Sequence, residues 1–199
     1  MNDGRTEYTF FWFIENYSYC WHSRGDMLCS PEFTVDELEG STWYLALYPR
    51  GKYNLHSDYA SLYLCRQDDG PEIISLNYQL SVIAVDGSAT CSESFNYAFR
   101  NANEPVSGKF LKMNEILLRR KSYYLPQDIL TVRCKMWKGT GEVHHIGQSS
   151  VRSRIGIEKK IFSLRIGKIQ HTPSKCKSDN KNPISFEKGK FDFKQSIFY

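Results

Sequence analysis

The stretch from Thr42 to Cys65 constrains the fold more than any other part of the chain. It reads Thr-Trp-Tyr-Leu-Ala-Leu-Tyr-Pro-Arg-Gly, then a polar connection, then Asp-Tyr-Ala-Ser-Leu-Tyr-Leu-Cys. Both runs alternate with the period of two expected of a half-buried strand. Trp43, Leu45 and Leu47 share one face, and Tyr44, Ala46 and Tyr48 take the other. In the second run Ala60, Leu62 and Leu64 point one way, and Tyr59, Ser61 and Tyr63 the opposite way. Pro49-Arg50-Gly51 and the polar Lys52–Ser57 stretch form the connection. The pattern predicts a strand pair with an apolar face toward a second layer and tyrosines outside, with Tyr63 facing water.

The same period recurs along the chain. Tyr8–Ile14 places Phe10, Trp12 and Ile14 on one face and reads as the first strand. Residues 18–41 read as a short turn or loop, since Phe33 and Val35 favour a strand while Thr34 and Glu37 have the spacing of a capping box. After the turn residues Arg66–Pro71, Ile74, Leu76, Tyr78, Leu80 and Val82 alternate with polar neighbours. Asp86-Gly87 is a hairpin signal, so residues from Ala89 to Arg100 return antiparallel with Phe95, Tyr97 and Phe99 on one face. Asn114–Arg120 reads as a short helix, capped by Asn114 and with basic residues at its negative end. Ile129–Trp137 is a further strand, with Leu130, Val132, Cys134 and Met136 inward. Short hairpin-linked strands with one small helix describe an antiparallel sandwich.

A chain of 199 residues has room for one medium domain and an appendage. Its net charge of +4 hides an asymmetry: residues 1–151 carry 14 basic and 18 acidic side chains, and residues 152–199 carry 12 and 4. The N-terminus lacks the basic and apolar regions of a secretory signal. The longest aromatic and aliphatic run, Phe10–Ile14, falls far short of the roughly 20 residues of a membrane span. Six scattered cysteines without an export signal point to reduced thiols in the nucleus or cytoplasm. Gly139–Ser153, rich in glycine, serine and histidine, reads as a linker. Beyond it Phe162, Leu164, Ile166 and Ile169 align with Phe10, Trp12, Ile14 and Tyr17. Residues 184–193 look like a hairpin. The expected organisation is therefore a domain at 7–138, a linker at 139–153, and a basic segment at 154–199 forming a partial second β unit.

Three motifs in order carry a resemblance. Phe11-Trp12-x-Ile14-x-Asn16-Tyr17-Ser18 comes first, then Trp43-x-Leu45-x-Leu47-x-Pro49-x-Gly51, then Asp58-Tyr59-x-Ser61-Leu62-Tyr63-Leu64. With Phe110-Leu111, Leu117-Leu118 and Leu125-Pro126-x-Asp128-x-Leu130-Thr131-Val132-x-Cys134, they resemble the MATH (meprin and TRAF-C homology) domain of the speckle-type POZ and TD-and-POZ family. The resemblance runs from about Glu7 to Trp137. It implies an eight-stranded antiparallel sandwich that binds short extended Ser/Thr-containing peptides without catalysis or cofactor. It also implies an indirect link to a cullin-3 ubiquitin ligase through a POZ-containing relative. By position, Tyr63, Tyr78, Tyr97 and Phe99 fall on the family's groove aromatics, although alternation assigns Tyr78 to the core face. The family completes its groove with a Lys-Asp-Trp-Gly-Phe-Lys loop. Here the loop is Asn103-Glu104-Pro105-Val106-Ser107-Gly108, where Glu104 stands for the acidic group and Lys109 for the lysine. A buried aromatic anchor is often worth about 2 kcal/mol, so losing two implies affinity weaker by well over roughly tenfold. No POZ-like sequence follows the linker.

Other chemistry has less behind it. Cys20, His22 and Cys29, with His56 as a distant fourth ligand, lack the paired spacing of structural zinc, and no metal is assigned. Glu142, His144 and His145 fall in the linker, without the fixed geometry that acid–base catalysis needs. Gly139-x-Gly141 lacks both the third glycine of a dinucleotide loop and the Lys-Ser/Thr of a phosphate loop. Arg119-Arg120-Lys121 and the basic segment from Arg152 to Lys194 attract polyanions. They supply the second reading, a nucleic-acid-associated protein acting through its C-terminal segment. The first reading is a non-enzymatic protein–peptide recognition module.

Overall fold

The structure, a computed structural model, describes residues 4–38, 40–53, 58–67, 70–100, 109–157 and 195–198. For Glu37, Cys91, Lys109, Phe110, Ile157 and residues 195–198 it describes the backbone. The strands are β1 (Arg5–Glu15), β2 (Leu28–Cys29), β3 (Phe33–Val35), β4 (Ser41–Tyr48), β5 (Tyr59–Arg66), β6 (Ile73–Ile83), β7 (Ala89–Arg100), β8 (Lys109–Lys112), β9 (Ile129–Lys138), β10 (Val143–Ile157) and β11 (Gln195–Phe198). One sheet runs β11-β10-β1-β9-β6-β7. The other runs β2-β4-β5-β8, with β3 also on β4.

Alternation accounts for how the two sheets meet. From the larger sheet, Phe10, Trp12 and Ile14 of β1, Leu76, Tyr78 and Leu80 of β6, and Val132, Cys134 and Met136 of β9 are all buried. Trp43, Leu45 and Leu47 of β4 and Leu62 and Leu64 of β5 meet them from the smaller sheet. Rings bridge the layers: Phe10 stacks on Phe33 at 3.8 Å, and Trp43 meets Phe99 edge-on at 4.8 Å. Each such side chain contributes about 1.5–3 kcal/mol through burial. Trp12, Trp43 and Leu62 are fully enclosed, as the all-β sandwich requires.

Three local expectations are refined. Where a short turn or loop was expected, Phe33–Val35 is a strand and Asp36–Leu38 a 3-10 turn, and the Thr34 hydroxyl lies 3.3 Å from that of Thr42 across the β3–β4 pair. The expected helix at Asn114–Arg120 is a wide turn at Glu115–Arg119 followed by a single helical turn, Lys121–Tyr124, and Asn114 makes no side-chain cap. The turn before β9 is tied to the 3-10 turn Tyr17–Tyr19 that follows β1, where Asp128 accepts hydrogen bonds from the Ser18 amide at 3.1 Å and the Ser18 hydroxyl at 2.7 Å.

The linker expected at 139–153 is corrected. Val143–Ile157 is a 15-residue strand that pairs parallel to β1 along the whole length of β1. β9 lies on the other side of β1, so β9 and β10 straddle it, and the chain crosses over the start of β1 at residues 139–142. Gly139 permits the crossing: its φ is +88°, and a Cβ there would stand 2.6 Å from the Gly4 carbonyl oxygen. Polar contacts fasten β10 beside the apolar packing of Val151 and Ile155 against the core. Trp12 Nε1 donates to Ser153 Oγ at 2.9 Å, Tyr8 Oη to Ser149 Oγ at 2.7 Å, and Asn16 Nδ2 to the Ile155 carbonyl at 3.2 Å. Arg152 and Arg154 both pair with Glu15, at 3.0 and 2.8 Å. Residues 195–198 add antiparallel to the far side of β10. The repeat expected at 162–169 and the hairpin at 184–193 lie outside the described residues.

Candidate functional site

The outer face of the smaller sheet carries its own cluster, separate from the core. Tyr44, Ala46 and Tyr48 of β4 sit beside Tyr63 and Cys65 of β5, because Ala46 pairs with Tyr63 and Tyr44 with Cys65. Tyr48 and Tyr63 meet edge to face at 5.4 Å. Tyr48 Oη donates to Met27 Sδ at 3.4 Å. The expectation that Tyr63 faces water is overturned, since only 2% of it is exposed. Alternation correctly gave its face, but Tyr48 packs against its ring and Lys52 lies over it. Lys52 Nζ lies 5.3 Å from the Tyr63 ring centroid, 5.6 Å from that of Tyr48 and 5.5 Å from that of Tyr53, all within cation–π range.

This cluster is neutral apart from Lys52. Burial pushes the Tyr63 and Tyr48 phenols above their ordinary value. Burial also pushes the Cys65 thiol up to about 11, with an opposing hydrogen bond from Tyr44. Lys52 was not singled out from the sequence. Its signal there is weak, a lysine between Tyr48 and Tyr53 in a six-residue span.

β8 closes the smaller sheet. Antiparallel pairing sets Tyr59 opposite Lys112, Ala60 opposite Leu111 and Ser61 opposite Lys109. Among the described residues no strand pairs with its other side, so the β8 edge offers unpaired backbone groups. Lys112 stands over the Tyr59 ring at 5.7 Å.

The remaining expected site residues divide between core and edge. Tyr78 is fully buried in the main core, stacked on Phe95 at 4.9 Å. This corrects its assignment as a contact residue, and the alternation reading was the right one. Phe99 is also buried, held between Trp43 and Tyr97. Tyr97 is half-buried on the same face of β7. Lys109 begins β8 by its backbone, and Glu104 lies outside the described residues. The structure thus brings Tyr63 and the Lys109 backbone to one sheet, and Tyr78, Tyr97 and Phe99 to the other.

The alternative chemistries are also located. Cys20 Sγ and His22 Nδ1 are 3.2 Å apart. Burial pushes the Cys20 thiol up to about 12 and the His22 imidazole down. His22 lines a cleft of about 460 Å³ with Trp21, Ser23, Arg24, Arg50 and Asp58. Arg120 covers the rings of Tyr123 and Tyr124, while Arg119 pairs with Glu115. His144 and His145 are exposed at the start of β10.

A family model, the MATH domain, matches residues 9–136. The chain belongs to the MATH domain family. The match ends within β9, so β10 and β11 extend the sheet beyond the MATH region. A relative, TD and POZ domain-containing protein 3 of Mus musculus, is 28% identical over 127 residues. That alignment covers 63% of this chain and 34% of the relative, so the chain spans about a third of the relative's length. Among solved structures, Notothenia coriiceps TRAF5 superposes with a TM-score of 0.50 at 20% identity, over 68% of this chain and 73% of that one. The fold is TRAF-like, and a MATH domain is a protein-interaction module. No helix among the described residues is long and apolar enough to cross a membrane.

Proposed function

We propose that this chain is a non-enzymatic protein–peptide recognition module whose MATH domain takes short extended segments of other proteins, in the nucleus or cytoplasm. The observation that carries the reading is the β8 edge: a short strand with no strand on its other side among the described residues, beside the half-buried Tyr59 and the exposed Lys112. An extended peptide adds to such an edge through main-chain hydrogen bonds, and the neighbouring side chains set specificity. Tyr97 and Phe99 belong to the neighbouring sheet, Lys109 begins β8, and Glu104 precedes it in sequence. Tyr78 acts in the core rather than on the ligand. Likeness to POZ-containing proteins carries the reading one step further, to substrate selection for a cullin-3 ubiquitin ligase reached through a POZ-containing partner.

The test uses the full chain and a library of labelled Ser/Thr-rich peptides, with binding read by fluorescence anisotropy. Bound peptides are then remade with alternate backbone amides N-methylated. Strand addition predicts loss of binding for the register whose N–H groups face β8 and retention for the other. Hydrogen exchange at Lys109–Lys112 should slow when peptide is bound. A peptide that binds equally in both registers, or that protects only β10, removes β8 from the site. For the basic-segment alternative, Arg152 and Arg154 are engaged with Glu15, and the other basic residues of that segment lie outside the described residues.

A further inference from the structure

The outer face of the larger sheet takes no part in the core or in the β8 edge. Alternation turns Phe11 and Phe13 of β1 and Arg133, Lys135 and Trp137 of β9 to that side. Register sets Phe11 opposite Arg133 and Phe13 opposite Arg152. The two phenylalanine rings are half-buried and nearly parallel, 6.4 Å apart with 13° between their planes. Arg152 lies over Phe13 at 4.9 Å, and Arg5 over Trp137 at 5.0 Å. β1, β6, β9 and β10 together carry six cationic side chains and two carboxylates, Glu7 and Glu15. Each carboxylate is shared by two cations: Arg5 and Lys135 pair with Glu7, and Arg152 and Arg154 with Glu15. Between them Arg133 donates to the neutral Gln79 Oε1 and Ser81 Oγ, both at 3.2 Å. A positive charge is therefore left over at each end of β1 and another beside its middle, with aromatic rings among them.

We propose that this face binds single-stranded nucleic acid, its phosphates on the surplus cations and its bases on the rings and guanidinium planes. Cations that follow the backbone, interleaved with rings or arginine planes that accept unstacked bases, are the combination such ligands need. A duplex keeps its base faces stacked inside and offers this surface its phosphates alone. An acidic peptide shares the charge but gains less here. β1 has β9 on one side and β10 on the other, so no main-chain pairing along β1 is open to it. β10 also leads in sequence into the segment 152–199, with 12 basic and 4 acidic side chains, which adds to the attraction for a polyanion. The face lies on the sheet opposite β8, so the inference stands apart from the peptide reading.

The test uses the full chain and three labelled probes read by fluorescence anisotropy across a salt series. They are a mixed-sequence single strand of about 12 nucleotides, the duplex of that sequence, and a polyglutamate of equal charge. The single strand is expected to bind tightest. Replacing both rings, Phe11→Leu with Phe13→Leu, keeps apolar cover and removes the stacking surface. Single-strand affinity should then fall roughly tenfold, while the other two probes are unaffected. Arg133→Gln should lower the slope of log affinity against log salt by about 0.7 for the single strand. Equal binding of all three probes, unchanged in the ring variant, means that the basic segment acts alone through its charge, and overturns the proposal. Tighter binding of polyglutamate assigns the face to acidic proteins and overturns it too, as does a single strand that fails to bind in low salt. If circular dichroism shows the ring variant unfolded, Arg133→Gln decides, and an unchanged salt slope is the refuting result. None of these outcomes alters peptide binding at β8, so the two readings fail separately.

Discussion

Ser153→Ala asks whether β10 is part of the folded body or a tether laid beside it. The Trp12 indole is fully buried, and its N–H donates to the Ser153 hydroxyl at 2.9 Å. Ser153 is itself only 2% exposed, so water cannot readily replace the hydroxyl. Removing the acceptor leaves a buried donor unsatisfied, which costs about 1–3 kcal/mol. With a urea m-value of about 2 kcal/mol per molar, a loss near 2 kcal/mol lowers the unfolding midpoint by about 1 M. The assay is equilibrium urea unfolding of the full chain followed by tryptophan fluorescence, since Trp12 itself reports on the site. A double-mutant cycle isolates the bond. In a Trp12→Phe background no indole donor remains, so Ser153→Ala should then cost less than about 0.5 kcal/mol. The reasoning fails if Ser153→Ala in the otherwise unchanged chain shifts stability by less than about 0.5 kcal/mol, the range of an ordinary surface substitution. That result would return residues 139–153 to the status of a linker.

Two further perturbations address the same region. Gly139→Ala should lower the thermal midpoint, because the residue adopts φ +88° and its new Cβ would meet the Gly4 carbonyl. The left-handed backbone alone costs about 1–2 kcal/mol, and a midpoint unchanged by calorimetry would contradict the crossing. Glu15 is held below the ordinary carboxylate range by hydrogen bonds from Arg154 and then Arg152. A depressed folded value means that its stabilisation is complete above an unfolded pKa of about 4.3 and is lost as pH falls through the lower folded value. Glu15→Gln should therefore speed hydrogen exchange in β10 at pH 7, and the difference from the unchanged chain should vanish near pH 2. A difference that persists in acid would rule out the carboxylate as its source.

How far the fold was legible depends on what each strand is fastened by. β1, β4, β5, β6 and β9 bury aliphatic and aromatic side chains on alternate positions, so period two is written directly in their residues. β10 interleaves hydroxyls with apolar residues: its inward positions run Ser149, Val151, Ser153 and Ile155, and Arg152 and Arg154 reach to Glu15. A serine whose partner is an indole more than a hundred residues away looks the same in sequence as a serine in a linker. The candidate site divides along the same line. Alternation gave the correct face for Tyr63 and for Tyr78, where position within the family pointed the other way. It could not give the cover over Tyr63, because a strand's period determines direction and a neighbouring loop determines exposure. Lys52 supplies that cover through contacts between a cation and ring faces, which leave no period at all.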